Sequence, residues 1–228
     1  MVAAAGWLQE RLGCDFSDPA LLERALTHRS HGSDNNERLE YLGDAVLSFV
    51  VAELLFRRFP AATEGELSRY RASLVSGEAL GAIAADIGLG GQLRLGDGEM
   101  KSGGQRRSTI LADALEALFG ALFLDRGLDT ARDAAERLFR QALAALPAAA
   151  ELKDPKTRLQ EWLQGRGHAL PAYSVLEVTG EPHDQRFRVR CEVADLELVA
   201  EAGGHSRRRA EQEAALQILE DPALRSAG

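Results

Sequence analysis

The stretch Asn36-Glu37-Arg38-Leu39-Glu40-Tyr41-Leu42-Gly43-Asp44-Ala45-Val46-Leu47 constrains the fold more tightly than any other part of the chain. Glu37, Glu40 and Asp44 stand at i, i+3 and i+7, so a helix would carry all three carboxylates on one stripe. Leu39, Leu42, Ala45, Val46, Phe49 and Val50 fill the positions around them, which predicts a largely buried helix. Ionised carboxylates stacked at that spacing repel one another and are costly to desolvate. A cation would relieve both penalties. A second apolar segment, Thr109 to Ala121, holds Asp113 and Glu116 as its only charges, at i and i+3. Two such helices facing each other would assemble an all-oxygen cage. No Cys or His falls inside either cluster, and hard oxygen donors favour Mg²⁺ or Mn²⁺ over zinc. The plainer alternative is that each acid projects to solvent from an amphipathic helix, but two matched clusters in apolar helices favour the cage.

The first two-thirds of the chain reads as helix after helix. Ser17-Asp18-Pro19 is a start signal for Ala20 to Leu26, a capping side chain followed by Pro near the first helical position. The acid-bearing helix runs from about Glu37 and stops near Pro60. Thr63-Glu64-Gly65-Glu66 opens another through Leu67, Tyr70, Leu74 and Val75, and Glu78 to Ile87 is a short Ala-rich helix ended by Gly88 and Gly90. Leu93 to Gly104, with glycines at 96, 98, 103 and 104, reads as a loop leading into the second acidic helix, and Asp129 to Leu146 is a further amphipathic helix. No strand pattern precedes residue 150, so residues 1–147 are expected to form an all-α domain. Residues 148–153 look like a linker, lacking a periodic apolar face after Pro147.

Periodicity then changes. In residues 154–223, Asp154-Pro155 caps a helix through Leu159 and Trp162 to Gly165, and β-like runs follow at Tyr173 to Thr179, Gln185 to Val193 and Leu196 to Ala202. The middle run sets Phe187, Val189, Cys191 and Val193 against Arg186, Arg188, Arg190 and Glu192, which points Cys191 inward. Gly203-Gly204 is read as a turn, and Ser206 begins a helix to about Leu219. The order is α-β-β-β-α, a small α+β domain.

The chain carries a formal charge of −8, split −5 over residues 1–150 and −3 over 151–228, so affinity for a polyanion must come from local arrangement. Cys14 and Cys191 lie far apart and do not suggest a disulfide framework, which suits a reducing compartment. The N-terminal residues lack the pattern of a secretory signal, and no apolar run is long and charge-free enough to span a bilayer. A soluble cytoplasmic protein with no membrane partner is the expectation.

The block Asn36 to Asp44, the loop Leu95 to Gly104 with Lys101-Ser102-Gly103-Gly104, and Ile110 to Ala117 together resemble bacterial ribonuclease III. So does the tail, from Asp154-Pro155-Lys156-Thr157 through Gly180-Glu181-Pro182-His183-Asp184 to Ser206-Arg207-Arg208-Arg209-Ala210-Glu211, which is similar to a double-stranded RNA-binding domain. The resemblance covers nearly the whole chain and implies an all-α endonuclease domain followed by that binding domain. It implies that Glu40, Asp44, Asp113 and Glu116 bind Mg²⁺, with Mn²⁺ as a possible substitute. It also makes Asp44, Glu116, Glu37 and Glu64 the catalytic acids, although Glu64, at a helix start, is equally a place where the helix dipole favours an acid. Cleavage of double-stranded RNA to 5′-phosphate and 3′-hydroxyl ends with short 3′ overhangs is implied, ribosomal RNA precursors and other structured transcripts being the expected substrates. Two sites are needed for that stagger, so a homodimer is implied, with Tyr41 packing into the partner; the alternative for Tyr41 is intrachain core.

In the tail the resemblance places Thr157, Gln160 and Glu161 against one minor groove and His183 against the next. Ser206, Arg207, Arg208 and Arg209 would meet phosphates at a helix start, where a three-Arg run is otherwise an ordinary solvated patch. Glu211 departs from the common pattern of such RNA-binding domains, which has a Lys there, and puts one phosphate contact in question. His28 and His31 are given a supporting role near the acids, and Trp162 a place in the tail's core. Two rival readings are a binding protein without chemistry and an all-α, metal-dependent nucleotide hydrolase. The full set of carboxylates speaks against the first and the tail's arginines against the second.

Overall fold

The computed structural model describes residues 2–149, 151–181 and 184–226. The chain divides into two compact units, Met1–Ala149 and Ala150–Gly228. The expected architecture, a helical unit followed by a helix–sheet–helix unit, is the one observed.

The first unit is built on α3 (Glu37–Arg58) and α7 (Ser108–Ala144), which pack along one another. Around them lie α2 (Pro19–Ala25), α4 (Glu64–Leu74) and α5 (Gly77–Asp86), with α1 (Val2–Arg11) pinned to the end of α5 by a Trp7 Nε1 hydrogen bond to the Ile87 carbonyl at 2.7 Å. Leu115, Leu118, Phe119 and Leu122 of α7 are fully buried, as are Val50, Val51 and Leu55 of α3. Each such side chain stabilises the fold by roughly 1.5–3 kcal/mol. The start signals act as read. Asp18 accepts the Ala20 amide, and Thr63 and Glu66 form a reciprocal capping box at the start of α4. Each cap contributes about 1 kcal/mol.

Two glycines set how closely the central helices approach. A Cβ on Gly43 would fall 1.7 Å from the Glu116 carbonyl oxygen, and one on Gly120 would fall 2.2 Å from that of Leu39. Only hydrogen fits at either place, so α3 and α7 cross with their backbones in contact.

Three expectations need correction here. The segment Leu93 to Gly104 is not a plain loop, because Asp97–Lys101 forms a short helix, α6, with Asp97 and Glu99 in the first turn, where acids suit the helix dipole. The second acidic helix and the one read from Asp129 are continuous in α7, broken only by Gly127 at φ +80°. And α3 is buried on one side only: Tyr41 is 83% and Phe56 71% exposed, with Phe49 exposed between them. Within this unit Tyr41 is therefore not core.

In the second unit α8 (Pro155–Gln164) and α9 (Arg207–Glu220) cover one face of an antiparallel sheet ordered β1-β2-β3, formed by Ala172–Thr179, Arg186–Val193 and Leu198–Gly204, with α10 (Pro222–Ser226) at the end. Val189, Cys191 and Val193 point inward as the alternation requires, and the last two join a core with Leu159, Leu163 and Ile218, against which Trp162 packs. The third strand starts later than read. Ala194–Leu196 makes a 3-10 turn and Glu197 takes φ +54°, the reversal needed to pair Val193 with Leu198. Gly203 and Gly204 are the end of that strand, paired with Arg188 and Phe187, rather than a turn. Among the described residues no helix is long and apolar enough to cross a membrane.

Candidate active site

The close crossing of α3 and α7 brings the two acidic stripes together. Carboxylate oxygens of Glu40, Asp113 and Glu116 all lie within 4.8 Å of one another. These side chains are partly buried, and their environment disfavours charge. Burial, followed by the charges of Asp44, Asp113 and Glu40, pushes the Glu116 carboxyl up to about 7. Burial and then Asp113 and Glu37 raise Glu40, with Arg29 opposing. Burial also raises Asp113, against the pull of His28 and Arg29. A hard divalent cation fits this set. Its donors are all oxygen, they are close enough to share one ion, and their mutual repulsion is what such an ion would cancel.

The remaining acids stand apart from the triad. Asp44 is exposed on α3 and close enough to raise Glu116 and Glu40, yet its oxygens are outside the 4.8 Å group. Glu37 is exposed, 3.4 Å from Arg29. Glu64 is exposed at the first position of α4, where it accepts the Ser68 hydroxyl at 2.8 Å. The structure thus assembles three of the six acids, leaves Asp44 and Glu37 at the rim, and keeps Glu64 apart at the start of α4.

A cleft of about 430 Å³ opens beside Glu40 and Asp113, with Arg29 and Arg107 in its walls. These two cations had no place in the sequence reading. Glu37 holds the first, and Glu99 of α6 holds the second at 2.9 Å. The wall is fixed by loop-to-loop bonds: the His28 amide donates to the Arg94 carbonyl at 3.0 Å, and the Gly96 amide to Ser30 Oγ at 2.9 Å. His28 Nδ1 lies 2.8 Å from the same Ser30 hydroxyl, and His31 Nδ1 lies 3.3 Å from the Leu95 carbonyl, so both histidines hold loops in place beside the acids. The only sequence signal for this wall is the glycine-rich Leu95 to Gly104.

In the second unit Thr157, Gln160 and Glu161 share the exposed face of α8, and Glu161 pairs with Lys153. Ser206 caps α9, accepting the Arg209 amide at 3.2 Å, so its hydroxyl is already engaged. Arg207, Arg208 and Arg209 are exposed on the first turn, Arg207 bonded to Glu211 and Arg208 lying 3.6 Å from Asp154. Glu211 is directed inward. His183 lies outside the described residues.

Comparison with known proteins agrees with both units. Residues 18–143 match the family model described as ribonuclease-III-like, and residues 155–221 match that of the double-stranded RNA binding motif. Ribonuclease 3 of Alkalilimnicola ehrlichii is 58% identical over 93% of this chain and 93% of its own length. Ribonuclease 3 of Dechloromonas aromatica is 54% identical over 93% of this chain and 96% of its own. Among solved structures, the nuclease domain of ribonuclease III from Campylobacter jejuni superposes with a TM-score of 0.59 at 42% identity, covering 62% of this chain and 97% of that one. A second structure of that domain, described for structural flexibility in the region involved in dimer formation, gives 0.57 at 44% identity over 59% of this chain and 95% of that one.

Proposed function

This chain belongs to the ribonuclease III family, and on that premise we propose that it is a divalent-metal-dependent endonuclease acting on double-stranded RNA. The observation that carries the reading is the convergence of Glu40, Asp113 and Glu116 from two apolar helices on one point. Glu40, Asp113 and Glu116 would hold Mg²⁺, or Mn²⁺ in its place, with Asp44 beside them at the rim. When bound there, the ion supplies a lowered water pKa for attack on the phosphodiester and positive charge against the departing oxygen. The chain's own part is to hold the ligands in place before RNA arrives. Gly43 and Gly120 fix the helix crossing, and partial burial limits how far water screens the carboxylates. Glu37 keeps Arg29, and Glu99 keeps Arg107, at the wall of a cleft that a phosphodiester must enter. Glu64 has weaker support as a catalytic acid, since its carboxylate is engaged by Ser68.

Products with 5′-phosphate and 3′-hydroxyl ends and short 3′ overhangs follow if two such sites act across a homodimer. The exposed stripe of Tyr41, Phe49 and Phe56 on α3 supports that assembly, because aromatic side chains in line on one helix are an apolar surface seeking a partner. The exposed face of α8 and the arginines of α9 support duplex binding by shape and phosphate contact. Ribosomal RNA precursors are proposed substrates on the family likeness alone.

The test is a long perfect RNA duplex incubated with wild type or Glu116→Gln, in Mg²⁺, Ca²⁺ or EDTA, followed by sizing and end-group analysis. Mg²⁺-dependent cutting by wild type only, leaving 5′-phosphates, is expected. A duplex that is retarded but uncut under every condition would replace the enzyme by a binding protein.

A further inference from the structure

Glu211 is only 7% exposed. A carboxylate that deep persists only with partners that satisfy it. It has two, and they come from different helices. Oε2 accepts from Lys156 Nζ in the first turn of α8, and Oε1 accepts from Arg207 Nε at 2.8 Å, one turn back on α9. The Lys156 ammonium in turn lies 4.4 Å from the centre of the Tyr173 ring on β1. Against the pull of burial, the hydrogen bonds and charges of Lys156 and Arg207 hold the Glu211 carboxyl below its ordinary value. One buried side chain therefore ties together the starts of both helices.

The bond to Arg207 uses Nε and leaves Nη1 and Nη2 for an outside acceptor, while the side chain as a whole stays 63% exposed. A guanidinium held in this way is oriented before it meets a ligand, and its terminal nitrogens match the paired oxygens of a phosphate. We propose that Glu211 is a positioning residue for RNA: anchored on its other oxygen by Lys156, it fixes the Arg207 guanidinium for a backbone phosphate. Glu211 strengthens its neighbour's contact by orientation, sparing part of the side-chain entropy that an unheld arginine loses on binding. The inference rests on the double-stranded RNA reading above.

The experiment is fluorescence anisotropy of a labelled perfect RNA duplex with the full-length chain in EDTA, so that nothing is cut. Glu211→Gln and Arg207→Ala should each weaken binding by about fivefold to tenfold, the factor carried by one oriented, charge-assisted hydrogen bond. The double variant should bind as Arg207→Ala does, because both changes remove one interaction. Arg207→Lys, which keeps the charge at an exposed position but lacks Nε, should group with Arg207→Ala. Losses that multiply in the double variant, or Arg207→Lys binding like wild type, would overturn the positioning role while leaving RNA binding intact. Failure of wild type itself to bind the duplex would instead overturn the RNA reading, and this inference with it.

Discussion

Replacing Glu116 with Gln asks whether the acidic cluster is held together against its own repulsion. The wild-type carboxyl is pushed from an ordinary 4.5 up to about 7 by burial and by Asp44, Asp113 and Glu40. Between those two pH values the unfolded chain has released the proton and the folded chain has kept it. The metal-free fold therefore loses stability as pH rises through this window, and the loss is complete above about pH 7. Each tenfold change in proton affinity is worth about 1.4 kcal/mol, which sets an upper bound of roughly 3–4 kcal/mol on the loss. Discounting for the side chain's residual contact with solvent leaves about 1–2 kcal/mol. Gln mimics the protonated acid at every pH. In EDTA at pH 8 the variant should melt roughly 3–6 °C above wild type, and near pH 5 the difference should nearly vanish. Added Mg²⁺ should then reverse the order, because it stabilises wild type in proportion to occupancy and finds a poorer site in the variant. Thermal melts across pH, with and without the ion, measure all of this. A variant that is less stable than wild type at pH 8 in EDTA, or a difference that ignores pH, would refute the reasoning and mean that Glu116 is satisfied by protein partners.

Two further perturbations test the scaffold. Gly43→Ala would place a methyl 1.7 Å from the Glu116 carbonyl oxygen, so α3 and α7 must separate; overpacking of this kind costs about 1–3 kcal/mol or more, and metal-dependent cutting should be lost with it. Gly6→Ala on α1, where a Cβ meets nothing within 4 Å, is the matched control and should leave both unchanged; an active, equally stable Gly43→Ala would show that the close crossing is not needed. Phe49→Asp places a charge in the exposed aromatic stripe of α3 and should shift the protein to monomer in sedimentation at micromolar concentration, each large side chain buried there being worth roughly 1.5–3 kcal/mol. Persistence of a dimer would move the interface elsewhere.

Period was what the sequence made legible. The 3.6-residue spacing of α3 and α7 and the alternation of β2 follow from which side chains face a neighbour, and they located the helical unit, the sheet and the two acidic stripes correctly. What lay beyond them depended on contacts between distant segments. A glycine inside a helix reads locally as a cost of about 1 kcal/mol. That Gly43 must be bare becomes clear only when Glu116, far along the chain, is seen against it. The same crossing decides which acids converge: spacing alone puts Glu37, Glu40 and Asp44 on one stripe, but only Glu40 of these reaches the oxygens of Asp113 and Glu116. Glu211 shows the converse. Its place at the start of a helix was visible, yet the Lys156 that anchors it comes from another helix.

The misjudged burial of α3 has a physical lesson of its own. A helix apolar all round signals that every face is to be covered, without saying by what. Leu47, Val50 and Leu55 are covered by this chain, while Tyr41, Phe49 and Phe56 are not. In α3 the carboxylate of Glu40 turns toward α7 one residue away from the exposed ring of Tyr41. Neighbouring positions on a helix are about 100° apart, so residues that adjoin in sequence serve different surfaces. That is why one short block can carry both a ligand of the candidate metal site and an anchor of the proposed dimer, and why a single apolar period could not tell core from interface.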